Sequence, residues 1–235
     1  MAKRHRTVLL VALFSLLIQR PLEARAAAAA DTVSETQVCD SLADYFLGME
    51  DYPEAIRRHR AVIRDHPENA LAHYHLGFAY GLMGHHRQEL AEYEKAVDLG
   101  LSDWDLFLNL GLLYVETDQL DTASKVLELA AVMAPERPET HYNLGLAYEK
   151  RGKLQQAEQE MLLSLQLDPS QVDARNQLGV IYAEEGNYMR ARDEWRDLAN
   201  SAPGYSPARA NLALLRQAER GGTFGIGARS GAFAH

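Results

Sequence analysis

His141-Tyr-Asn-Leu-Gly-Leu-Ala-Tyr148 carries its apolar and small residues at helical spacing, and a turn at Lys150-Arg-Gly-Lys153 leads into a second periodic run with Ala157, Met161, Leu162 and Leu165. This helix–turn–helix recurs. Leu144-Gly145 has counterparts in Leu76-Gly77, Leu110-Gly111 and Leu178-Gly179, each 34 residues from the next, and tyrosines follow at Tyr80, Tyr114, Tyr148 and Tyr182. The register continues back to Leu42, Ala43 and Phe46 and forward to Leu212 and Ala213. Alanines at Ala55, Ala123, Ala157 and Ala191 and prolines at Pro67, Pro135, Pro169 and Pro203 share it. Five units follow without insertion: 36–69, 70–103, 104–137, 138–171 and 172–205. Small residues such as Gly145 and Ala157 predict close approach of two paired helices. Proline disfavours helix at the preceding residue, so Pro169 helps end the second helix. One such pair cannot bury its apolar face alone, so neighbours must stack.

The pattern over residues 36–205 resembles the tetratricopeptide repeat. The resemblance implies an all-α, right-handed superhelical solenoid of five helix–turn–helix units. Residues 206–220 read as a capping helix, because Arg209, Arg216, Gln217, Glu219 and Arg220 make it polar enough to face water. Two positions depart from the family pattern. Glu89 stands where alanine is expected and Leu101 where proline is expected. The second unit is therefore expected to be the loosest joint, and alanine at position 89 is expected to stabilise it. Residues 221–235 contain five glycines and no period, and read as a flexible tail.

The start of the chain reads differently. Met1-Ala-Lys-Arg-His-Arg is basic, Val8–Ile18 is apolar apart from Ser15, and Ala24-Arg25-Ala26 offers small residues at the spacing of a signal-peptidase site. An apolar helix of that length spans roughly 16 Å, about half a bilayer core, which favours a signal over an uncleaved anchor. Residues 1–26 are thus expected to be a secretory signal cleaved near 26–30, with 27–35 as linker, and the localisation expected is the periplasm.

The formal charge is −9, and losing Lys3, Arg4, Arg6, Arg20 and Arg25 with only Glu23 makes the remainder more acidic. Such a body repels phosphate backbones, so nucleic acid is not expected as a partner. The single cysteine, Cys39, forms no intramolecular disulfide and reads as a small core residue. Of nine histidines, His73 and His75 are two apart and point in different directions on a helix, while His85 and His86 sit in a turn. No ligand spacing is recognisable, so no metal site is expected. There is no G-x-S-x-G, phosphate-cradling glycine loop or H-E-x-x-H. No catalytic residue, cofactor or small-molecule substrate is expected, and the chain does not read as an enzyme.

In tetratricopeptide proteins the first helix of each pair lines the concave surface. By that resemblance its second, fifth, sixth, ninth, twelfth and thirteenth positions face a ligand. The fifth and ninth positions supply an apolar stripe: Tyr74 and Phe78, Leu108 and Leu112, Tyr142 and Leu146, then Asn176 and Val180. The sixth positions give Asn109, Asn143, Gln177 and Asn211, a carboxamide ladder able to pair with a peptide backbone. Acids Asp105, Glu139 and Asp173 occupy the second position, and Asp40, Asp44, Glu116, Glu149 and Glu184 add to that side against Lys150 alone. The family's carboxylate clamp of Lys and Arg is missing. The expected function is a protein-interaction scaffold of the bacterial envelope that takes a basic or apolar segment of another protein and assists assembly of a larger complex. The alternative is a homo-oligomerising repeat protein whose groove takes its own tail or end helix.

Overall fold

The computed structural model describes residues 41–220, so the expected signal, linker and C-terminal tail lie outside the described residues. Eleven helices are present among the described residues, and no strand. None of these helices is long and apolar enough to cross a membrane. The chain divides into two units after Ser102.

The first unit holds α1 (Ser41–Gly48), α2 (Tyr52–Asp65), α3 (Ala70–Leu82) and α4 (His86–Asp98). The second holds α5 (Trp104–Glu116), α6 (Leu120–Met133), α7 (Pro138–Lys150), α8 (Leu154–Leu167), α9 (Val172–Glu184), α10 (Tyr188–Ser201) and α11 (Ser206–Arg220). Each odd-numbered helix up to α9 packs on the helix that follows it, α2, α6 and α8 pack on the first helix of the next pair, and α10 packs on α11. Short polar side chains start several helices. Asn69 accepts from the Ala72 N–H at 3.0 Å, and Asp103 from the Asp105 N–H at 2.8 Å, satisfying backbone donors that lack a partner within the helix.

The turn inside each pair is one device used five times. Glu50, Gly84, Asp118, Gly152 and Gly186, spaced by the repeat, all take positive φ. The N–H one residue further on then reaches back to the carbonyl of the register aromatic: Asp51 to Phe46, His85 to Tyr80, Gln119 to Tyr114, Lys153 to Tyr148 and Asn187 to Tyr182, all at 2.8–2.9 Å. This bond closes the helix end in the manner of a Schellman motif. The same device explains the missing proline at Leu101. Gly100, at φ 90°, lets the Leu101 N–H bond the Ala96 carbonyl at 3.0 Å, which ends α4 without one.

Interior packing follows the register as well. A Cβ built on Gly145 would lie 2.9 Å from Met161 Cε, and one on Gly179 would lie 2.7 Å from Trp195 Cε2. The side chain that closes over each of these glycines therefore comes from sixteen residues on. Around Gly145 the carbonyl oxygen of the small residue Ala157 lies further off, at 3.4 Å. Tyr93, Leu127, Met161 and Trp195 fill this position in four pairs, all fully buried.

Histidines His73 and His141 serve packing. His73 Nδ1 lies 2.6 Å from Glu92 Oε2, and its Nε2 lies 3.2 Å from the Pro67 carbonyl. His141 repeats the arrangement with Glu160 at 2.8 Å and the Pro135 carbonyl at 3.0 Å. Each ring thus ties both helices of its pair to the loop before them. The intervening pair uses buried Phe107 and Val126 at the same two positions.

Candidate functional site

In the second unit the first helices α5, α7 and α9 touch in sequence. Their shared face presents Leu112, 38% exposed, with Asn109, Tyr142, Asn143 and Leu146 partly exposed around it. Asp105, Glu139 and Asp173 stand at the N-terminal end of these helices and are accessible, as the macrodipole favours for acids. Leu108 belongs to the same stripe but is buried beneath it.

The acids are not bare charges. Glu139 lies 3.8 Å from Arg137, whose guanidinium sits 4.9 Å over the Trp104 ring. The Tyr205 hydroxyl donates to Asp173 at 2.8 Å, and burial together with that carboxylate pushes the Tyr205 phenol upward. Tyr142 is shifted up too, first by burial and then by the Asp173 charge. The Asn143 amide donates to the Glu139 carbonyl at 2.8 Å, which fixes the side chain and turns it back along its own helix. Its amide oxygen keeps acceptor capacity. Glu149 is buried, and desolvation raises its carboxyl despite Lys150 nearby, so it adds little exposed charge.

The expected ladder does not continue as an open surface. Gln177 is 2% exposed, Val180 1% and Asn211 0%, so these residues offer a ligand almost no surface. Asn211 of α11 donates instead to Asn176 Oδ1 of α9 at 3.1 Å, and the Asn176 carbonyl accepts from Trp195 Nε1 at 3.2 Å. The carboxamides at this end are a buried network that docks the last helix. In the first unit Tyr74 is buried, stacked in a tilted geometry 5.8 Å from Tyr93, while Phe78 is exposed.

The expectation for Glu89 also changes. Its carboxylate lies 3.1 Å from His86 Nδ1, and a Cβ on Gly81 would fall 2.5 Å from its Oε1. Gly81 makes the room that Glu89 fills. Sequence reading also missed one group of metal-type side chains, Asp44, His59 and His75, which the first unit brings together.

Stacked helix pairs in a fixed register, exposing a mixed apolar and acidic face on their first helices, define a helical-repeat scaffold. Sequence models described as tetratricopeptide repeat match residues 41–100 and 108–172, and a second such model matches 161–193. The chain belongs to the tetratricopeptide-repeat family. Comparison with curated proteins gives no match. Among solved structures it is similar to YrrB, described as a TPR protein with an unusual peptide-binding site, with a TM-score of 0.67 at 20% identity over 84% of this chain and 98% of that one. MamA from Desulfovibrio magneticus RS-1 gives 0.66 at 19% identity, covering 72% and 96%. PilF of Pseudomonas aeruginosa gives 0.64 at 23%, covering 77% and 82%. At these identities the likeness concerns the fold.

Proposed function

We propose that this chain is a non-catalytic scaffold of the bacterial envelope, exported to the periplasm by its N-terminal segment, which binds a basic or apolar segment of another protein. The observation that carries the reading is the face of α5, α7 and α9, where Leu112, Tyr142 and Leu146 are accessible beside three carboxylates. Apolar area there supplies adhesion, and Asp105, Glu139 and Asp173 favour cationic residues at its edge. Asn109 and Asn143 add polar contacts for a peptide backbone. The peptide-binding site of YrrB supports assigning this kind of ligand to the fold. A crosslinked pull-down of the mature protein from its own envelope fraction tests the proposal. The expected result is one enriched partner, lost on replacing Tyr142 and Leu146 by alanine. Recovery of only the chain itself, with a dimer in sedimentation, supports the homo-oligomeric alternative.

A further inference from the structure

The internal repeat supplies a baseline for each position in the fold. At the position filled by Tyr93, Leu127, Met161 and Trp195, the first helix pair carries His59, 0% exposed. At the position of Phe78, Leu112, Leu146 and Val180 it carries Asp44. At the position of Asn109, Asn143, Gln177 and Asn211, the next helix carries His75. Three departures, each introducing a metal-ligating group, come from three different helices and converge. Asp44 Oδ1 lies 2.8 Å from His75 Nδ1 and 3.7 Å from His59 Nε2. The two imidazole centroids are 5.4 Å apart with their planes at 71°, and one donor atom from each of the three residues lies within 4.8 Å of the others.

We propose that Asp44, His59 and His75 form a binding site for a divalent transition-metal ion that joins α1, α2 and α3. Metal–ligand bonds of about 2.0–2.1 Å place neighbouring donors roughly 3–3.5 Å apart, a spacing that small side-chain rotations produce here. Two imidazoles and one carboxylate suit Zn2+, Co2+ or Ni2+, whereas Ca2+ and Mg2+ favour all-oxygen sites. His59 lies at the inner end of the cluster, and partly exposed Asp44 and His75 form its mouth, which leaves coordination positions facing solvent. An ion held by all three side chains binds the folded form only, and so stabilises the first unit.

The sequence patterns of the other pairs also provide the controls. Asp44→Leu, His59→Leu and His75→Asn each install a residue that the same register carries elsewhere. The full chain, freed of metal by chelation, is titrated with Co2+ by visible absorption and with Zn2+ by calorimetry, while helicity is followed by circular dichroism. The expected result is one equivalent bound, no response to Ca2+, and a Zn2+-dependent rise in the thermal midpoint. Each variant is expected to bind at least about tenfold more weakly and to lose the rise. If His59→Leu fails to fold, His75→Asn, altered at the mouth, decides. Wild type that binds no Zn2+, or variants that bind as tightly as wild type through other histidines, would overturn the proposal. The three groups would then form an ion-free Asp–His–His cluster.

Discussion

Glu50 and Asp118 hold φ of 60° and 59° at a turn position where Gly84, Gly152 and Gly186 stand in the other pairs. An L side chain there costs about 1–2 kcal/mol, because Cβ crowds the following carbonyl. Asp tolerates the conformation better than Glu. Glu50→Gly is therefore expected to stabilise the chain by about 1 kcal/mol, and Gly152→Ala to destabilise it by a similar amount. Urea midpoints at unchanged slope measure both. A second residue-scale test concerns Glu89. Alone, Glu89→Ala removes the contact with His86 and leaves space beside Gly81, so the gain expected from the sequence is replaced by a loss of about 1 kcal/mol. Gly81→Ala alone forces its Cβ against the Glu89 carboxylate. With both changes the methyl group occupies the vacated space, and a helical glycine is replaced by a better helix former. The double variant should match or exceed wild type, and a double-mutant cycle reads the coupling. Additive effects would mean the two residues do not share that space.

At the scale of the element, the ring of His141 joins α7, α8 and the loop at Pro135 by two polar contacts. The preceding pair carries buried Phe107 and Val126 at the corresponding positions. Glu160→Val strands the imidazole against an apolar neighbour and should cost about 1–3 kcal/mol. Adding His141→Phe restores an apolar pair already accommodated in this fold, and should recover most of that loss in urea melts. Recovery no better than the single variant would show that the loop contact carries the join. The all-helical repeat and its phase were legible in the sequence because Leu144-Gly145 and its counterparts recur at one spacing. The register aromatics were legible as well, but the backbone device that uses their carbonyls was hidden at Glu50 and Asp118, where no glycine marks it. Burial of Gln177 and Asn211 was not legible, because it depends on α11 docking through the Asn211–Asn176 bond. Nor was the meeting of Asp44, His59 and His75, since residues fifteen or more apart become neighbours only across packed helices.

On the scale of the whole molecule, a net charge of −9 would make association with a cationic segment, the ligand proposed above, the step most open to salt. Exposed charges are screened beyond about 8 Å at physiological ionic strength. Replacing Asp105, Glu139 and Asp173 by Asn, Gln and Asn should slow association and flatten its salt dependence. Tyr205 holds Asp173 and Arg137 lies near Glu139, so replacing either acid also removes a local contact. Tyr142→Ala and Leu146→Ala should instead speed dissociation, because desolvated apolar contacts persist only once the complex has formed. Asn143→Ala belongs with that pair if a ligand N–H is received by its amide oxygen, since its own N–H is engaged with the Glu139 carbonyl. Stopped-flow or surface-binding kinetics at several salt concentrations, against the partner recovered by pull-down, separate the two groups of variants. Circular dichroism checks that the Tyr142 variant keeps its helices. Unchanged rates in all six folded variants would remove this face as the binding surface. Attention would then turn to the exposed apolar residues of the second helices, Val132, Met133, Leu162 and Leu163, which face solvent in the same unit.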